Sequence, residues 1–184
     1  MPLILQGATS GQTTIQATDA TTQTITLPAN SGTVLTTAST FGGTGPAFSA
    51  YSSGNQNISS STYTKIALQT KEFDTNSNFD NATNYRFTPT VAGYYQINGE
   101  GYCAGTSITY ALISIYKNGS LLKIGSTYNG TAINEFSSSV SSVVYFNGST
   151  DYVELYANIV ATSPKLVGGA SFYTYFSGAL VRAA

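Results

Sequence analysis

Gly93-Tyr-Tyr-Gln-Ile-Asn-Gly-Glu-Gly-Tyr-Cys103 is the stretch that decides the fold. In an extended chain successive side chains point to opposite faces. Tyr95, Ile97, Gly99, Gly101 and Cys103 then share one face, and Tyr94, Gln96, Asn98, Glu100 and Tyr102 share the other. The first set is small or apolar and the second polar and aromatic, which is the pattern of a strand with one buried side. The rest of the chain has the same character. Phe48–Tyr51, Thr62–Gln69, the Tyr85/Phe87 pair, Ile108–Lys117, Leu121–Ile124, Val140–Phe146, Tyr152–Asn158 and Ser171–Val181 all read as strands. Asn118-Gly119 is the strongest hairpin signal, because both residues tolerate the positive φ that a tight turn between twisted strands requires. Asn147-Gly148-Ser-Thr reads as a second hairpin or short loop. No stretch has a helical period. Roughly eight to ten strands separated by regular turns predict an all-β antiparallel sandwich or jelly roll over residues 47–184.

Composition excludes most chemistry. The chain has 184 residues, seven Lys plus Arg, eight Asp plus Glu, no His, no Trp and one Cys. A net charge of −1 provides no basic field for nucleic acid. Without His there is no Ser-His-Asp triad or His-ligated metal, and one Cys permits neither an internal disulfide nor a thiolate cluster. Cys103 reads as a buried, inert thiol. No apolar run approaches the about 18 residues of a membrane span. Met1–Gly7 lacks the basic region and the apolar length of a signal peptide, so no membrane insertion and no secretion signal are expected. With 8% charged residues, 14 Tyr and 9 Phe, the surface is too charge-poor for a monomer, and part of it is expected to be buried in an assembly.

The chain divides near residue 45. Residues 1–40 contain one acidic residue, Asp19, and no Lys, Arg, Tyr or Phe. Thr13–Ala17, Thr24–Leu27 and Thr33–Thr36 read as short strands. Their apolar residues, Ile15, Ile25, Leu27, Val34 and Leu35, are too few for a core, so this segment is expected to be buried against copies of itself or a partner, as an anchor or stem. Residues 41–46 read as a Gly-rich hinge, and 47–184 as the head.

Two constellations invite a chemical reading. The carboxylate pairs Glu72/Asp74 and Asp74/Asp80 lack any sign of the cleft a glycosidase needs and read as turn residues. Asp74-Thr-Asn76-Ser-Asn78 opens like a calcium loop, but Phe79 stands where the sharp turn needs Gly and Tyr85 where a bidentate Glu is needed. No ligand set for calcium is identified, no cofactor is expected, and the protein is not expected to be an enzyme. Tyr94, Tyr102, Tyr110, Tyr152, Tyr156, Tyr173 and Tyr175 suit either interface packing or sugar stacking.

Several motifs together resemble the globular head of complement component one q, whose jelly roll is shared with the tumour-necrosis-factor family. Phe87-x5-Gly93-x-Tyr95-x-Ile97 is similar to that family's signature, with Ile97 in place of a Phe. Asp74-x4-Phe79 lies upstream, separated from Phe87 by one residue more than the family spacing. Leu68 stands where the family has an earlier Phe. Ala47-Phe-Ser-Ala50, Tyr116-Lys-Asn-Gly119, Asn147–Leu155 and Phe176-Ser-Gly178-Ala-Leu-Val181 follow the family's order. The resemblance implies a compact homotrimer with an aromatic-lined three-fold axis. Tyr94, Tyr102, Tyr152, Tyr156, Tyr173 and Tyr175 are the candidate interface residues. Calcium binding by some relatives carries over no ligands. Gly7–Ala17, Thr24–Ala29 and Ser31–Leu35 resemble the short β-repeats of bacteriophage fibres and other virion surface proteins. The functional expectation is a non-enzymatic virion surface protein, a trimeric capsid decoration or head fibre whose residues 1–40 bind capsid or tail proteins and whose head binds host-surface glycans. A tail-borne receptor-binding tip and a secreted complement-like binding module are the alternatives.

Overall fold

The computed structural model of the chain describes residues 3–6, 12–15 and 45–184. Backbone contacts divide the chain into two compact units, Met1–Phe41 and Gly42–Ala184. In the first, strand β1 (Leu3–Gln6) pairs antiparallel with β2 (Gln12–Ile15), Leu3 opposite Ile15. β2 overlaps the expected Thr13–Ala17 strand, whereas no strand is expected at β1. The expected strands at 24–27 and 33–36, with Ile25, Leu27, Val34 and Leu35, lie outside the described residues, as does most of the 41–46 hinge.

The second unit contains ten strands and, among the described residues, no helix. They are β3 (Ala47–Tyr51), β4 (Gln56–Asn57), β5 (Thr64–Lys65), β6 (Thr70–Asp74), β7 (Phe79–Asp80), β8 (Arg86–Phe87), β9 (Gly93–Lys117), β10 (Ser120–Phe146), β11 (Val153–Leu166) and β12 (Tyr175–Ala183). The expected strands 93–103 and 108–117 are one continuous β9, and the stretch between Leu121 and Phe146 is one continuous β10. Their hairpin turns at Asn118-Gly119, both residues at positive φ, with Lys117 opposite Ser120.

This long hairpin folds back on itself and supplies both layers. The first half of β9 pairs with the second half of β10 on one side and with β12 on the other, and β12 continues to β3 and β6. The second half of β9 pairs with the first half of β10 and with β11, which continues to β8, β5 and β4. The bend falls near Ser107, which has positive φ, and at register shifts in β9's pairing with both partners. Gly99 and Gly101 mark how closely the layers approach. A Cβ on Gly99 would lie 2.4 Å from Leu155 Cδ1, and one on Gly101 2.4 Å from Ile113 Cδ1. The architecture is an antiparallel jelly-roll sandwich.

The core lies between the layers. Phe48 on β3 stacks on Phe79 at 4.9 Å and on Phe87 at 4.3 Å, and meets Phe176 edge-on at 5.2 Å. Phe87 meets Tyr95 at 5.7 Å, and Tyr95 meets Phe146 at 5.2 Å. Tyr95, Ile97 and Cys103 are fully buried, as the alternation predicts.

Two local expectations differ from the structure. Thr62–Gln69 is not a continuous strand. Only Thr64–Lys65 pairs, with β11, and the chain then crosses to the first layer as β6, paired with β3. The Gln56 amide satisfies the crossing backbone, donating to Lys65 O and accepting from Ala67 N. The final strand begins at Tyr175 rather than Ser171, because 171–174 turns. Of the two readings of Asn147–Thr150, hairpin or short loop, the structure has the loop, which carries the chain from Phe146 beside Gly93 in the first layer to Val153 beside Lys117 in the second. Asn147 Oδ1 there accepts the N–H groups of Ser149, Thr150 and Asp151.

Candidate functional site

The residues of the Phe87–Ile97 signature meet in the core. Phe79, Phe87, Tyr95, Ile97 and Phe176 are buried around Phe48, and Gly178 is where a Cβ would strike Ile97 Cδ1 at 2.7 Å and Phe48 at 2.9 Å. Gly93 begins β9 against the end of β12. These residues build the scaffold and leave no side chain free for chemistry.

The carboxylates of the 72–80 stretch serve local structure. Asp74 accepts the N–H groups of Asn78 and Phe79 and pairs with Lys71 at 3.2 Å. Asp80 accepts those of Ala82, Thr83 and Asn84, and the donors at Thr83 and Ala82 chiefly hold its carboxyl down to about 2. Glu72 accepts the Ser49 hydroxyl. Among the described residues no three acidic, Cys or His side chains are grouped to hold a metal. Burial pushes the Cys103 thiol up to about 12, so it carries no thiolate at neutral pH.

The chemistry-bearing side chains that remain lie on the two outer faces, and the structure divides the candidate interface tyrosines between them. Tyr94, Tyr102, Tyr173 and Tyr175 belong to the β12–β9–β10 side. Tyr156, with Tyr110, belongs to the β9–β11 side, and Tyr152 sits beside β8 with the Arg86 guanidinium 4.4 Å over its ring. The sequence pattern assigns each residue a face of its strand, but the bend near Ser107 decides which layer that face covers.

The first outer face is a ladder of rings and neutral or acidic polar groups. Tyr94 lies opposite Tyr145, ring centroids 5.4 Å apart, and both are exposed. Gln96 Nε2 donates to Asn98 Oδ1 and Ser141 Oγ. Glu100 accepts from Ser137 Oγ at 2.7 Å and from the Tyr175 hydroxyl at 3.0 Å. Glu135 accepts from the Tyr102 hydroxyl at 2.7 Å. That bond raises the Tyr102 pKa, while burial first and Glu100 second raise that of Tyr175. Among the described residues neither Glu100 nor Glu135 has a cationic partner. Exposed Val143 and Phe73 extend the apolar surface, and a shallow depression runs between Phe73, Gln96, Asn98, Ser177 and Ala179.

The second outer face is largely covered by its own chain, although the buried Asn158 Oδ1 has no hydrogen-bond partner among the described residues. Tyr116 stacks on Tyr156 at 4.1 Å and Tyr63 lies 5.9 Å from Tyr116. Lys65 Nζ pairs with the buried Glu154 at 2.6 Å. Leu112 and Ser114, which alternate outward with Tyr110 and Tyr116, are fully buried. Tyr63 and Tyr116 are absent from the sequence-derived interface set, although the chain's 12% aromatic content made rings an available signal.

Known structures share this arrangement. The globular domain of zebrafish complement 1qA protein is 18% identical, with a TM-score of 0.53 over 76% of this chain and 99% of that one. The head has a complement one q/tumour-necrosis-factor-like jelly roll. Eiger TNF from S. frugiperda is 10% identical, with a TM-score of 0.56 over 76% of this chain and 92% of that one. Murine APRIL is 9% identical, with a TM-score of 0.56 over 74% and 98%. At these identities the likeness concerns the fold alone. No protein-family model matches the chain, and no curated protein sequence matches it. These neighbours cover the jelly roll; none of them supports the bacteriophage resemblance of residues 1–40.

Proposed function

We propose that the chain is a non-enzymatic homotrimeric binding head. The observation that carries this reading is the open β12–β9–β10 face. It has exposed Tyr94, Tyr145, Val143 and Phe73, Ser and Asn between them, and, among the described residues, no cation opposite its two glutamates. Monomer surfaces rarely leave such a contiguous aromatic area uncovered. Tyr provides large contact area and a polar tip, as interfaces favour. The jelly-roll likeness and the sequence resemblance, which implies three-fold assembly, point the same way. Sedimentation equilibrium at micromolar concentration tests it: three chains per particle is the expected result, and a monomer overturns it.

The finer reading places this trimer on a virion surface, as a capsid decoration or head fibre, with residues 1–40 as the anchor and the head engaging host-surface glycans through avidity of three weak contacts. It rests on the composition of residues 1–40. Immuno-electron microscopy of particles separates capsid from tail placement, and a glycan array tests adhesion.

A further inference from the structure

Among the described residues, Asn158 Oδ1 is the buried side-chain oxygen that has no hydrogen-bond partner. Taking an acceptor out of water without giving it a donor costs stability, so such an atom calls for a reason. Asn158 is on β11, directly opposite Leu112 of β9, and Leu112 is opposite Thr127 of β10. On the other side of β11, Lys65 is opposite Tyr156 and Thr64 opposite Ala157, which sets Tyr63 beside Asn158. Alternation puts Tyr63, Lys65, Tyr156 and Asn158 together on the outer side of the layer. The orphan amide therefore lies within the ring cluster of the second face, above the fully buried Leu112 and Ser114. The rings of that cluster are not held alike. Tyr110, Tyr116 and Tyr156 belong to the long strands β9 and β11. Tyr63 precedes the two-residue β5, follows Ser61 at positive φ and is 36% exposed. With the fewest ladder bonds behind it, Tyr63 is the ring able to swing aside.

We infer that this cluster is a binding site for a neutral sugar ring, with Asn158 Oδ1 accepting a sugar hydroxyl and Tyr63 closing on the ring's C–H face. The inference rests on the glycan reading of the head and names the site for it. Small-ligand sites combine an aromatic lining with a few placed polar groups, and this cluster has that make-up. The amide lacks a donor, and a hydroxyl is one. The π faces of the tyrosines suit the polarised C–H bonds of a pyranose, whose hydroxyls then point to the rim. The charge pattern selects a neutral ligand. Lys65 and Glu154 neutralise each other at 2.6 Å, and the Arg86 guanidinium is laid over the Tyr152 ring. Around Asn158 itself the register places Leu112, Thr127, Tyr110 and Val160, none of them charged. Neither an anion nor a cation finds a partner there. Assembly through the β12–β9–β10 face leaves this second face turned outward, so a trimer presents three such sites.

The test is an array of neutral and acidic oligosaccharides probed with the full chain, followed by calorimetric titration of the strongest neutral binder. Neutral glycans should be retained. Asn158→Leu removes the acceptor at similar side-chain volume and should weaken that binder at least about tenfold. The same change should raise the melting temperature of the unliganded chain, because a buried oxygen without a partner is gone. Tyr63→Ala should also weaken binding at least about tenfold, through lost stacking and not through the amide. An Asn158→Leu or Tyr63→Ala protein that binds the glycan like the parent overturns the site while leaving adhesion intact. So does an Asn158→Leu protein that melts below the parent, which would assign the amide to packing. Retention of acidic glycans alone overturns the neutral-sugar chemistry. A parent chain that binds nothing on the array would instead overturn the glycan reading itself, and the site with it.

Discussion

Leu112 and Ser114 point outward from β9 as Gln96 and Asn98 do, yet the first pair is fully buried and the second is not. The difference lies in what each layer has gathered over its outer side. The β9–β11 layer has stacked Tyr116 on Tyr156, drawn in Tyr63 and paired Lys65 with Glu154. Most of its polar groups are satisfied within one chain, although the buried Asn158 Oδ1 has no hydrogen-bond partner among the described residues. The β12–β9–β10 layer also carries rings but leaves Tyr94 and Tyr145 exposed and, among the described residues, gives Glu100 and Glu135 hydroxyl donors and no cation. One strand carrying both patterns shows that alternation fixes only which side chains leave the core. Whether they are then covered by the same chain or left for another depends on the segments laid beside them.

The core shared by both layers gives the largest effect. Phe48→Ala should cost about 3–5 kcal/mol in urea unfolding, because it removes the ring that joins Phe79, Phe87 and Phe176. Both faces should be lost together. A separate transition for one layer would show that the comparison concerns two independent units.

The second effect tests the self-contained face. Lys65→Ala leaves the Glu154 carboxylate, whose side chain is 4% exposed, with only the 3.5 Å contact from the Tyr156 hydroxyl. Stranding a buried charge is strongly destabilising, and because Lys65 is itself partly exposed we expect about 2 kcal/mol. Glu100→Ala on the open face should cost the monomer less than about 1 kcal/mol, since water takes the place of the carboxylate as acceptor for the Ser137 and Tyr175 hydroxyls. Equal losses in chemical denaturation would erase the distinction between the faces.

A carboxylate satisfied by backbone donors lies between these cases. The Asp80 carboxyl is held at about 2, below its ordinary 3.8, chiefly by the N–H groups of Thr83 and Ala82. A lowered folded-state pKa contributes stability that is full above the unfolded value and is lost as pH falls through the folded one. Asp80→Ala should therefore cost about 1 kcal/mol near pH 5, allowing for solvent screening, with the deficit shrinking between about pH 4 and pH 2. A pH-independent deficit in thermal melts would mean that the residue acts through packing instead.

Much of the scaffold was legible in the sequence. Tyr95, Ile97 and Cys103 are inward because a half-buried strand has a period of two, and Asn118-Gly119 turns because both residues accept positive φ. The two-residue strands β4 and β7 were not legible, and β5 and β8 were legible only as parts of the Thr62–Gln69 and Tyr85/Phe87 stretches, without their true bounds. Their pairing is set by distant partners such as β11 and by substitutes such as the Gln56 amide, which leave no local period. The division of the tyrosines was hidden for a related reason. Tyr102 and Tyr110 have the same parity on one strand, and only the fold-back between them sends Tyr102 to the open face and Tyr110 to the covered one. That Glu100 has hydroxyl donors but, among the described residues, no cationic partner is likewise a property of the assembled face and not of any motif.

The smallest effect on folding is the most direct probe of the open face. Tyr94 is 45% exposed, and its ring touches Tyr145, which is itself exposed. Tyr94→Ala removes little buried area from the monomer and should change its unfolding free energy by less than about 0.5 kcal/mol. Tyr116→Ala, which breaks the stack on Tyr156, should cost about 2 kcal/mol. The order reverses for assembly. A trimer that dissociates on unfolding has a melting temperature that rises with protein concentration. Tyr94→Ala should flatten that rise, and Tyr116→Ala should lower the melting temperature at every concentration while leaving the slope intact. If Tyr94→Ala instead lowers stability uniformly and keeps the parent slope, its ring serves the chain's own packing, and the open face is as self-contained as the other.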